Sequence, residues 1–326
     1  METSPLQKSR PLLTIAIPTW NRSEELQECI QLIASQIEQV NENVEIFVSD
    51  NASSDETEYI LCNLETHLNY LRHSRNAMNV GPDQNFLEVL NKSLGKYVWL
   101  FSDDDFIVEG AIAEVIHIIK NYEPSYINTN YLYCNDRKII VDSQPQKRFM
   151  IAKDITHADI NKVFSERNHW LSFVSCNIYN RSFLDIADYE ANVNNVRSWI
   201  QVYVAAHILS GNPNGYLSSF YAVLSRVGNG RVNSMPFVMH MPEAFSYIMK
   251  KFNVDKNVCK RVLDGIRITF LSFRSFLVHR ALGIKTSHNI VPYCYKLAVI
   301  FPKSMILIAW KMKRFLGGKG FSFPDI

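Results

Sequence analysis

The sequence holds little that would suggest covalent staples or export. Its six cysteines (Cys29, Cys62, Cys134, Cys176, Cys259 and Cys294) are scattered, with no CxxC pair and no ligand-like spacing. That pattern fits reduced thiols in a cytosolic protein and argues against both disulfides and structural zinc. Met1 to Arg10 is polar and lacks the apolar stretch of a secretory signal. Internal repeats and low-complexity tracts are also missing, which excludes solenoid and linker-like architectures.

What is present is a globular composition. The 326 residues are 47% hydrophobic and 20% charged, enough to bury a large core in one big domain or two smaller ones. The net charge of +2 conceals an uneven distribution. From Lys250 onward there are 15 Lys and Arg against three acids, a net of +12, so the first 249 residues carry −10. A basic end of this kind suits an anionic membrane surface or nucleic acid.

Along the chain, "LLTIAIPTW" (12–20) is a β-branched apolar run that predicts a buried strand. Asn21 and Ser23 offer N-caps for a helix over 24–39, with Glu24 and Glu25 in its first turn. "VEIFVSD" (44–50) predicts a second strand, and "NASSDET" a polar loop before another helix. Gly81-Pro82 marks a turn and a helix start, and "KYVWLFS" a further strand. Strands and helices alternate, each strand ending in a polar loop, as in parallel α/β sheets whose ligands collect at the strands' carboxyl ends. Beyond residue 120 the rhythm weakens. Strands are expected at "SYINTNYLYC" and "GYLSSFYAVLSRV", and helices over 158–166, 198–209 and from about Pro242 onward. Val258, Val262 and Ile266 begin an apolar stripe at helical spacing.

"FSDDD" places Asp103, Asp104 and Asp105 where a central strand should end. Aspartates favour turns, so a solvated turn is one reading. Their place at a strand end favours another, a site for a hard cation such as Mg²⁺ or Mn²⁺, which takes one or two carboxylates and fills its shell with water and phosphate oxygens. A diphosphate leaving group needs such charge neutralisation.

"IPTWNR", "VSDNASSDET", "NVGPDQN" and "FSDDD", in this order, resemble the family 2 glycosyltransferases of GT-A fold. The resemblance covers residues 11–106 well and 107–235 loosely. It implies an α/β, Rossmann-like nucleotide-sugar-binding domain with a mainly parallel central sheet, followed by a helical region. It also implies that Thr19, Asn21 and Asp50 hold the nucleoside, that Asn79 and Gly81 flank it, and that Arg75 contacts the diphosphate or base. Asp103 and Asp105 match the metal-holding acids, with Ser102-Asp103-Asp104 as an alternative register that keeps Asp104 in the set. The implied cofactor is Mn²⁺ or Mg²⁺, and the implied partners are a nucleotide-sugar donor and a glycan acceptor. Within the family, the chain resembles transferases that add a deoxy- or dideoxyhexose to bacterial O-antigen.

The second half departs from the family. Inverting members carry an acidic pair before a long helix, where one carboxylate deprotonates the acceptor. "IADYEANVNNVRSWIQVYVAAH" has no Glu-Asp pair, which leaves Glu190 as the candidate base, with Asp188 and His169 behind it. Arg226 and Arg231 could face the diphosphate. The expected divisions are a tail over 1–10, a catalytic domain over 11–235 (nucleotide half 11–106, acceptor half 107–235) and a basic helical region over 236–326.

Within that region, "YCYKLAVIFPKSMILIAWKMKRFLGGKG" (293–320) holds two apolar runs, each shorter than the ~20 residues of a spanning helix. Trp310, Lys311, Lys313 and Arg314 resemble interfacial anchors, and a helix packed on the catalytic domain is the alternative. The expectation is a cytoplasmic enzyme lying peripherally on the inner face of the plasma membrane, acting on a lipid-linked acceptor, with no nucleic-acid partner. A nucleotidyltransferase is the nearer rival, but its glycine-rich basic phosphate loop has no counterpart in "PTWNRSEE". A non-catalytic membrane- or nucleic-acid-binding module would leave the strand-end polar clusters unexplained.

Overall fold

A computed structural model describes residues 10–141, 149–226 and 240–270. The first half alternates strand and helix: β1 (Leu13–Thr19), α1 (Ser23–Ile37), β2 (Val44–Asp50), α2 (Thr57–Glu65), β3 (Leu71–Arg75), α3 (Pro82–Lys92) and β4 (Tyr97–Leu100). There follow β5 (Phe106–Ile107), α4 (Ala111–Tyr122), β6 (Tyr126–Cys134), β7 (Ile155–Ala158), α5 (Ile160–Arg167), β8 (Asn177–Asn180), α6 (Ile186–Val196), α7 (Ile200–Gly211) and β9 (Gly215–Arg226). Two further helices, which we number α8 (Met241–Lys251) and α9 (Lys256–Phe270), complete the described chain.

All nine strands join one sheet, in the order β3-β2-β1-β4-β8-β6-β9-β5, with β7 also paired to β9. From β3 to β4 it is parallel. Beyond β4 it is mixed, because β8 runs antiparallel to both its neighbours while β6 and β9 are parallel. Every residue of β1 and β2 is buried, as expected for parallel strands covered on both faces. One face packs Ile15 and Ile17 against Ile30 and Ile33 of α1 and Ile112 and Val115 of α4. The other packs Ala16 and Val98 in a core that extends through α3, α7, α8 and α9.

The stripe Val258, Val262 and Ile266 is buried in that core, so α9 is packed on the sheet-bearing body. The predicted tail segment 293–320 lies outside the described residues, as does Arg231. The start of α1 differs from expectation. Neither Asn21 nor Ser23 caps it with a side chain; instead Asp55 accepts from the Ser23 N–H at 3.0 Å. Pro82 does open α3, directly after Gly81 at φ +85°.

Candidate functional site

Strand register builds the site. Thr19 pairs with Asp50, and Asp50 with Arg75, so three predicted residues stand abreast at the carboxyl edge of β1, β2 and β3. Ala16 pairs with Leu100, which sets Asp103 three residues beyond β4, as Thr19 is three beyond Ala16. The Thr19 hydroxyl accordingly donates to Asp103 Oδ2 at 2.8 Å.

The loops are then tied to one another. Asn21 has φ +52°, a left-handed conformation that asparagine tolerates better than most residues. Its N–H donates to Ser53 Oγ, and its side-chain oxygen accepts from the Ser54 N–H at 2.7 Å. Asp50 is fully buried. It accepts from the Ser53 N–H at 2.9 Å and from Arg75 Nη1 at 2.5 Å, while Arg75 Nη2 donates to the Ser53 carbonyl. Arg75 therefore serves as the counter-ion of Asp50 and clamps this loop. Asn79 accepts from the Gly81 N–H and from Asn51 Nδ2, both at 2.9 Å. Asn51, absent from the sequence-based set, also accepts from the Val80 N–H, and buried Asn85 bonds the Ser49 side chain and carbonyl. These asparagines give the 76–81 loop its shape.

Three consecutive acids are tolerable here because an internal cation sits among them. Arg22 Nη1 lies 2.6 Å from Asp103 Oδ1 and 2.9 Å from Asp104 Oδ2. Burial works against the Arg22 charge, but Asp103 and Asp104 outweigh it and raise its pKa. Burial pushes Asp103 up to about 6, against the opposing pull of Arg22. Asp105 is also driven upward, by burial and by Asp104, although Ser175 Oγ donates to it at 2.6 Å. Ser102 Oγ donates to Asp104, and the Ser102 N–H to Ser175 Oγ.

Sequence reading missed Arg22 and Ser175 because their partners lie 81 and 70 residues away. For Arg22 the one available signal was its place beside the "PTWN" loop. The Arg226 guanidinium bonds Glu28 at 2.7 Å and lies over the Phe106 ring, and its backbone N–H donates to Asp105.

The candidate bases are not gathered at the acids by any described hydrogen bond or ion pair. Glu190 is exposed on α6, a helix outside the helical spans expected from the sequence. Asp188 ties α6 to α7 and α8, accepting from Tyr203 at 2.6 Å and Lys251 at 3.1 Å; these partners lower its pKa against the opposing effect of burial. His169 is buried beside Asn168 and Trp170. Among the described residues, no group of three or more His, Cys, Asp or Glu is arranged to hold a metal ion.

Residues 14–182 match the family model described as Glycosyl transferase family 2. The chain is 37% identical over 128 residues to the abequosyltransferase RfbV of Salmonella typhimurium, covering 39% of this chain and 36% of that protein. It is 31% identical over 107 residues to the GalNAc(5)-diNAcBac-PP-undecaprenol beta-1,3-glucosyltransferase of Campylobacter jejuni, covering 32% and 34% of the two chains. The chain thus spans about a third of the length of these curated relatives. Among solved structures, S. aureus TarS 1–349 in complex with UDP-GlcNAc superposes with TM-score 0.59 at 17% identity, over 84% of this chain and 76% of that one. The Pyrobaculum calidifontis mannosyltransferase PcManGT, with GDP-Man and Mn²⁺, gives 0.53 at 12% identity over 96% and 82%. At these identities the likeness speaks for the fold alone.

Proposed function

The chain belongs to glycosyltransferase family 2 and has the GT-A fold, and from that premise we propose that it moves a sugar from a nucleotide-sugar donor to a lipid-linked glycan in bacterial surface-polysaccharide synthesis. The observation that carries this reading is the alignment of Thr19, Asp50, the 79–81 loop and the acids 103–105 along one sheet edge. In it, the Asp50–Arg75 clamp and the Asn51–Asn79 network form the nucleoside end. The acids form the diphosphate end, with Arg22 as a cation already in place. The proposed division keeps donor binding in 11–106, acceptor binding in 107–235 and the basic helical region in 236–326.

The acids form no three-ligand cluster among the described residues, but a divalent cation needs only one or two carboxylates, with water and phosphate oxygens completing its shell. Asp103, Asp104 and Asp105 offer hard carboxylate oxygens; Asp103 and Asp105 are buried, and Arg22 contacts Asp103 and Asp104. Buried negative charge is what a bound cation relieves. One or two of these acids would hold it, and it would supply charge neutralisation at the departing diphosphate. Thr19 and Ser175 orient Asp103 and Asp105 by donating to them, and Arg22 balances the cluster whenever no metal is bound.

A lipid-linked acceptor and an inner-membrane location rest on the basic excess after Lys250 and on the curated relatives named above. Among the described residues no helix is long and apolar enough to cross a membrane. A thermal-shift screen of UDP-, GDP-, CDP- and dTDP-sugars, with Mn²⁺ and with EDTA, tests the donor reading. One class should stabilise the protein, more strongly with Mn²⁺, and Asp105→Ala should abolish the metal-dependent part. If no nucleotide sugar stabilised the parent, the donor assignment would fall.

A further inference from the structure

The first turn of α7 is held from two sides by residues outside it. Almost every residue of this helix is buried, yet it has no capping side chain of its own. Its leading amides need acceptors. Asp83 of α3 provides one just ahead of the helix, accepting the Ser198 N–H. The approach to the helix is strained, since Arg197 and Ser198 adopt φ +32° and +68° in succession. Such backbone persists only where its surroundings enforce it.

Asp83 lies two residues after Gly81, so its position is fixed by the 76–81 loop. On the other side, buried Gln201 donates through Nε2 to the Ser172 carbonyl at 2.9 Å. Three residues further along, Ser175 holds Asp105 and the Ser102 N–H. The turn is thus a physical link between the loop assigned to the nucleoside and the loop that carries the acids, separate from the Thr19–Asp103 bond. Two buried acceptors at this turn, Asp83 Oδ1 and Gln201 Oε1, have no donor among the described residues. Burial also raises the Asp83 pKa, against the bond from the Ser198 N–H.

We propose that Asp83 is a positioning residue that couples occupation of the nucleoside loop to the first turn of α7, and through Gln201 to the acid cluster. The inference rests on the donor reading above, and it concerns this chain's own contacts rather than the chemistry of transfer. Hydrogen exchange on the full chain tests it, with UDP, GDP, CDP and dTDP plus Mn²⁺ as probes. In the parent, the nucleotide that binds should slow exchange of the amides from Arg197 to Gln201 at least fivefold. Asp83→Ala should bind the same nucleotide within about threefold of the parent affinity but lose that protection. Asp83→Asn, whose amide oxygen still accepts from the Ser198 N–H, should restore it.

A purely structural role would raise exchange at this turn with and without nucleotide, and would leave the ligand-induced change intact. That result, or a parent that binds nucleotide without protecting the turn, would overturn the coupling. An Asp83→Asn variant as impaired as Asp83→Ala would also count against positioning. A parent that bound none of the four nucleotides would bring down the donor reading first and the coupling with it.

Discussion

Arg22→Ala tests whether the acid cluster owes its stability to an internal counter-ion. Arg22 Nη1 contacts Asp103 at 2.6 Å and Asp104 at 2.9 Å, and the three side chains are 20%, 5% and 14% exposed. Removing one partner of a fully buried pair costs about 3–5 kcal/mol, because the remaining charge is stranded. Partial exposure of Arg22 and Asp104 lowers this to about 2–3 kcal/mol, the range of one or two hydrogen bonds between charged groups. Asp103→Asn removes one of the two charges while keeping the side-chain shape and an acceptor for Thr19. In that background Arg22→Ala should cost only about 1 kcal/mol, giving a coupling of about 1–2 kcal/mol. Urea unfolding in EDTA of the parent, both single variants and the double variant closes the cycle, provided the m-values agree. Adding Mn²⁺ should then stabilise Arg22→Ala more than the parent, since the metal has a larger uncompensated charge to meet. An equal cost of Arg22→Ala in both backgrounds would show that the guanidinium does not act as counter-ion to Asp103.

The same site sets a pH dependence. Asp103 is raised from 3.8 to about 6, so the folded protein keeps a proton that the unfolded chain has released; that stability is full below about pH 4 and is lost as the pH rises through about 6. In EDTA the parent should therefore lose more stability than Asp103→Asn between about pH 4 and pH 7, and parallel curves would contradict the assignment. Gly81→Ala meets no atom within 4 Å of the added Cβ but must hold φ +85°; a loss of about 1–3 kcal/mol in unfolding free energy is expected, and an unchanged urea midpoint would exclude it. Asp50→Ala frees Arg75 and the Ser53 N–H, and isothermal titration should show nucleotide binding weaker by about 1–3 kcal/mol with or without metal; equal affinity would remove Asp50 from the site. Deleting residues 290–326 should reduce flotation with anionic liposomes, and binding by the full chain should weaken with salt as charges are screened over about 10 Å at 0.1 M; equal flotation of both chains would end the membrane assignment.

The parallel half was legible because its information is local. A fully buried strand writes itself as a β-branched run, a strand-end loop as a polar cluster, and a positive-φ turn as Gly81-Pro82. These elements carry Thr19, Asp50, Asn79, Gly81 and the acids, and the register of β1 on β2 and β4 brings most of them to one edge. Beyond β4 the sheet turns mixed and short strands appear. The four-residue β8, in "CNIYNR", is too short to show a period.

Partners that meet across long stretches of chain were illegible for the same reason. Arg22 reads locally as the polar start of a helix, and nothing within a turn of it announces Asp103. Asp83 reads as a favourable acid in the first turn of α3, yet its carboxylate serves a helix 115 residues away. In both cases the side chain obeys its local rule and takes its functional partner from another element. An acid run therefore points to a cation, while the fold decides which cation arrives first, and here the guanidinium of Arg22 is built into the chain ahead of any ion from solution.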